Sequence, residues 1–154
     1  MSKNRRSRLV FFILLTFALT IFIFANSLKA GDESSAQSNF ITDWVNRLLT
    51  LFGIQADFRA LSHFVRKLAH FSEYFVLGLT SSAALSQLNK RVFITLSPIY
   101  CAMIAVCDEF VMQAITEGRA PMWTDVLIDS AGAITAFIIV LAVLLIRKEH
   151  RNEE

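Results

Sequence analysis

Arg66, His70 and Glu73 stand at i, i+4 and i+7 and so share one face of an apolar helical segment, with Lys67 and Tyr74 flanking that face. Further along, Asp108 and Glu109 are followed by Gln113, with Glu109 and Gln113 on one face. Asp125 and Asp129 lie four apart at the start of the last apolar segment, on a face that continues through Gly132 and Ala136. Arg119 sits in the connection between these two groups. Imidazole, carboxylate and guanidinium groups in this arrangement suit proton transfer, ion pairing, cation binding or recognition of a charged headgroup. Three cations (Arg66, Lys67, Arg119) face five anions (Glu73, Asp108, Glu109, Asp125, Asp129), which leaves a formal −2 with His70 neutral. Such an excess is relieved by protonated carboxyls, a bound metal or a cationic ligand group.

The elements that carry these residues are membrane-like. Hydrophobic residues make up 55% of the chain, 14 of the 154 residues are Phe, and the mean hydropathy is +0.51. Four apolar stretches, at approximately 9–28, 62–87, 92–115 and 123–146, approach the ~20 residues needed to cross a bilayer. The expected fold is an all-α integral membrane protein, one domain over 1–154, with four transmembrane helices and one amphipathic interfacial helix. That extra helix is expected at about 39–52, where Phe40, Ile41, Trp44, Val45, Leu48, Leu49 and Phe52 recur at helical spacing before Gly53. It reads as an element lying in the headgroup region, a lid over the charged cluster, or both. The polar stretch Lys29 to Ser38 is expected to be irregular, and Pro98 is a possible kink in the third span.

The first stretch, Leu9 to Leu28, follows Lys3, Arg5, Arg6 and Arg8. It exceeds the ~7–15 residues of a signal-peptide core and has no convincing small-residue cleavage site, so an uncleaved span is expected. A chain that reverses at each crossing brings the start of span two, the end of span three and the start of span four to one side. Lys and Arg favour the other side: the amino tail, Lys90 and Arg91, and Arg147, Lys148 and Arg151 outweigh Lys29, Arg47, Arg59 and Arg119. Both termini are then cytoplasmic, in a multi-pass membrane protein, and the charged cluster faces outward. The net charge of +2 is too mild for nucleic-acid binding. Cys101 and Cys107 face different ways on one helix, which argues against a disulfide, and the acid beside Cys107 disfavours its thiolate.

Several uses of the cluster are open on these residues. One is a structural network pairing Arg66 with Glu73 and Arg119 with Asp129. A metal site would use His70 and Glu73 with the carboxylates of spans three and four, but lacks a second histidine unless His63 reaches in; the preferred reading assigns neither metal nor cofactor. An acid-base site would use His70, Glu73 and Asp108. A binding site for an anionic or zwitterionic headgroup would use Arg66, Lys67 and Arg119.

The string from Arg66 to Gly78, R-K-L-A-H-F-S-E-Y-F-V-L-G, resembles the first signature of VanZ-like proteins. Asp108 to Gln113 resembles their second, D-E-x-x-x-Q. Gly118-Arg119, followed by Asp125 to Asp129 and Gly132, resembles their third. Asn26-Ser27 and the Ser-rich 34–38 stretch resemble the loop after their first span. The resemblance covers roughly residues 10–146 and implies a small bacterial four-span envelope protein, from a family linked to resistance to the glycopeptide teicoplanin. It implies as partners membrane lipids, a lipid-linked cell-wall precursor or a glycopeptide. A transferase name used in the family finds no acyl-CoA or phosphate motif here. Two expectations follow: a non-enzymatic binder of a lipid headgroup, cell-wall precursor or lipoglycopeptide, which is preferred, and an intramembrane enzyme on a lipid-linked substrate.

Overall fold

The computed structural model describes residues 3–153, so the extreme ends of the expected domain lie outside it. The described residues form five α-helices and no strand: α1 (Lys3–Ser27), α2 (Gly31–Leu51), α3 (Phe58–Ser86), α4 (Lys90–Cys107) and α5 (Trp123–Glu153). The line of α4 continues through a π turn, Asp108–Met112, and a 3-10 turn, Gln113–Ile115. Three stretches are long and apolar enough to cross a membrane: Lys3–Ser27, Val92–Ile115 and Trp123–His150. α3 does not qualify on composition, because it carries the Arg66–Glu73 group.

Local chemistry accounts for most boundaries. Asp57 caps α3 by accepting from the backbone N–H of Arg59 (2.7 Å) and Ala60 (3.0 Å), so the helix begins four residues before the expected Ser62. Asn89 caps α4 in the same way, accepting from Val92 N at 2.8 Å. α2 ends in a Schellman motif: Gly53, at φ +74°, donates to Thr50 O, and Ile54 donates to Leu49 O.

One expectation is corrected. The 29–38 stretch is not irregular, because α2 already begins at Gly31. Asp32 and Glu33 suit the positive end of the helix dipole, and Ser38 and Thr42 return their hydroxyls to carbonyls one turn back. Pro98 does not end α4; the change of geometry comes ten residues later, at Asp108, where the Gln113 N–H bonds to Asp108 O instead of the carbonyl four back.

α3 lies at the centre and packs against all four other helices. Its crossing with α5 is close because Gly132 meets backbone: a Cβ there would collide with the Phe71 carbonyl. The buried core includes Ile23, Tyr74, Leu77, Cys101, Ala105, Val126 and Ala133. Below the charged cluster, hydroxyls join the helices. Ser82 and Ser97 are 2.7 Å apart across α3 and α4, and Thr20 meets the Tyr100 hydroxyl at 2.7 Å across α1 and α4. Both cysteines are free. The outer surface is apolar: Phe11, Leu14, Phe17, Leu127 and Ile138 are all more than half exposed. A patch of that extent suits hydrocarbon and not water.

Candidate functional site

The start of α3, the π turn after α4 and the start of α5 come together, as the alternation of charge positions along the chain predicts. Asp108, Glu109, Gln113, Asp125, Asp129, His70 and Tyr74 are all buried, while Arg66, Lys67, Glu73 and Arg119 are half-buried. The close α3–α5 crossing at Gly132 fixes this placement. Asp129 and Asp125 lie roughly one and two turns before it on the same face, and that face is held against α3.

The pairing differs from the expected one. Neither Arg66–Glu73 nor Arg119–Asp129 forms an ion pair among the described residues. Arg66 and Glu73 share a face but are separated by two turns, about 10 Å of rise, which is too far for a direct pair. Glu73 instead accepts from the Asn26 amide at 3.0 Å. Arg119 donates to the Asn26 carbonyl at 3.2 Å, which ties the 116–122 connection to the end of α1. Lys67 takes the ion pair, with Asp125. His70 Nδ1 lies 3.3 Å from Asp129 Oδ1 without hydrogen-bond alignment.

Glu109 is wholly buried and well satisfied. Oε2 accepts from the Gln113 amide, and Oε1 accepts from the Met122 backbone N–H at 2.8 Å. The 116–122 connection is thus fastened to the π turn as well. Asp108 and Asp129 are treated differently. None of their four carboxylate oxygens has an aligned hydrogen-bond partner, although Ser27 stands beside Asp108. The buried Tyr74 hydroxyl has none either. His70, Asp108 and Asp129 each present one ligand-type atom, and these atoms lie within 4.8 Å of one another. Glu73 is not in that group, and His63 is exposed, lining an outer groove with Arg59, Ser62 and Arg66. Neither therefore completes the metal set considered from the sequence.

A cavity of about 190 Å³ opens between α1, α2 and α3 beside this cluster. Its polar lining includes Asn26, Ser34, Gln37, Ser38, Arg66 and Arg119, with His70 and Glu73 at the α3 wall. Burial, and next the Arg66 charge, lower the pKa of Arg119 from its ordinary value. The two guanidiniums therefore repel each other at the cavity; Asp108, Glu109 and Glu73 act on Arg119 from a distance, and among the described residues no carboxylate lies within ion-pair distance of either guanidinium. Sequence reasoning missed Asn26 and Ser27 as site residues. The signal was available: they are polar and end span one on the side where the cluster lies.

No curated protein and no solved structure matches the chain at a significant level. Residues 12–146 match the VanZ/LLP1 family, and over that span the chain belongs to this VanZ-like family of membrane proteins.

Proposed function

We propose that this protein crosses a bacterial cytoplasmic membrane four times, with both termini in the cytoplasm, and binds an anionic headgroup in its outward-facing cavity. The ligand class is a phosphate-bearing lipid or lipid-linked cell-wall precursor, or a lipoglycopeptide presenting a carboxylate. One observation carries the reading: two half-buried guanidiniums, Arg66 and Arg119, line a polar cavity and lack a carboxylate partner. An anion between them relieves their repulsion and accepts the charge-assisted hydrogen bonds that arginine supplies.

α3 is the fourth crossing. At 29 residues it spans about 43 Å, enough for the hydrocarbon and part of both headgroup layers. Its charges are sheltered by the other helices, which is where intramembrane charge is tolerated. α2 lies in the headgroup region. Phe40, Trp44, Leu48, Leu51 and Phe52 are each more than half exposed, so no protein surface covers them. Along the adjoining flank, Ser34, Gln37 and Ser38 roof the cavity. The interfacial and lid readings of this helix therefore hold together.

The enzyme alternative rests on His70 beside two buried carboxylates. The geometry favours Asp129 as its partner, with Asp108 close by, over the His70–Glu73–Asp108 trio.

Mass spectrometry of lipids retained by the purified protein tests both readings. Arg66→Ala and Arg119→Ala should each weaken retention by about 10–100-fold, the equivalent of one charge-assisted hydrogen bond. Retention unchanged in both variants would sink the headgroup reading. Conversion of a retained lipid that stops in His70→Gln would favour the enzyme.

A further inference from the structure

Headgroup binding leaves the deepest acids of the cluster unexplained. Glu109 has two donors, Asp125 has Lys67, and Glu73 has Asn26. Asp108 and Asp129, at 1% and 0% exposure, have aligned donors on none of their oxygens. Buried polar atoms in native proteins nearly always have partners, so two such carboxylates side by side require an explanation. Nearby permanent cations do not supply it: Lys67 is committed to Asp125, Arg119 is outside ion-pair distance of both acids, and His70 pairs with Asp129 only when protonated.

We infer that His70, Asp108 and Asp129 form a binding site for one divalent cation of the zinc or manganese class. Each ligand comes from a different element, α3, the π turn and α5, and the three ligand atoms already lie within 4.8 Å of one another. Metal–ligand bonds of about 2.0–2.2 Å place neighbouring ligands roughly 3–3.6 Å apart. The 3.3 Å between His70 Nδ1 and Asp129 Oδ1 is within that range. The remaining separations, at most 4.8 Å, close by up to about 1–2 Å when the ion is bound.

Charge points the same way. Two ionised carboxylates in a low-dielectric interior are costly, and a divalent ion makes the group neutral. One imidazole nitrogen with carboxylate oxygens suits Zn²⁺ or Mn²⁺, whereas thiophilic ions would seek sulfur. The site does not depend on the headgroup reading, because it uses neither Arg66 nor Arg119.

The test uses full-length protein purified in detergent on a histidine-free tag, stripped with chelator and titrated separately with Zn²⁺ and Mn²⁺. Elemental analysis after gel filtration should find about one ion of at least one metal per chain, with a raised melting temperature. Asp108→Asn and Asp129→Asn keep side-chain volume and should weaken binding by more than about 100-fold. His63→Ala, outside the trio, should leave it unchanged. X-ray absorption on the loaded wild type decides the matter even if a variant fails to fold: one imidazole among oxygen ligands is the expected shell. No retained ion and no thermal shift with either metal would overturn the inference. So would binding indifferent to both Asn substitutions, or a shell containing sulfur.

Discussion

At the scale of single residues, the membership of the cluster was legible and its partners were not. All eleven polar residues picked out by spacing come to one end of the bundle, because helical periodicity and chain reversal depend on sequence alone. Partners depend on side-chain reach and on neighbours without charge. Asn26, an uncharged residue, holds both Glu73 and the Arg119 connection, while Lys67, expected to flank the α3 face and to help bind a headgroup, takes the ion pair with Asp125. That pair predicts a measurable coupling. Lys67→Ala leaves the buried Asp125 carboxylate without its cation and should cost roughly 2–4 kcal/mol, discounted for the partial exposure of Lys67. Adding Asp125→Ala should recover part of the loss. Thermal unfolding of the two single variants and the double variant in detergent measures this, and strictly additive losses would show that the pair contributes nothing.

At the scale of elements, sequence reading placed the apolar helices well and their ends less well. Hydropathy marks where apolar residues stop, whereas a helix continues until a cap or a glycine ends it. α5 therefore runs to Glu153, past the expected 146, and α3 starts at its Asp57 cap. The π turn was not legible, because D-E-F-V-M has no breaker; its geometry follows from packing around the buried Asp108 and Glu109. α2 was half legible: the helical spacing of its second half marked a helix there, and its polar first turns were taken for a loop. If that face lies on the bilayer, Trp44→Asp with Leu48→Asp should sharply reduce the folded yield in membranes. Asn46→Asp with Thr50→Asp should change it little. Quantitative blotting of membrane fractions checks this, and equal losses from both pairs would argue against docking through the Trp44 face.

For the whole molecule, the proposed orientation rests on the bias of Lys and Arg toward the amino tail, the 88–91 turn and the carboxyl tail. It predicts that single cysteines introduced within 29–38 and 116–121 react with an impermeant reagent from outside, and that those within 88–91 and 147–154 do not, in a background without Cys101 and Cys107. The reverse pattern would turn the cavity toward the cytoplasm and remove envelope ligands from consideration. The first turn of α2 also meets the 116–122 connection directly. Gly31 donates its N–H to Glu117 O at 2.9 Å, and a Cβ on Gly31 would collide with the Gly118 carbonyl. Gly118 itself sits at φ +72°, a backbone state that side chains disfavour. This junction is backbone against backbone, with no soft side chain between the two segments to absorb a displacement. It is therefore stiff. If α2 rests on the membrane surface as proposed, a tilt of this helix is passed through the junction to the segment bearing Arg119, and the bilayer's own mechanics reach the cavity.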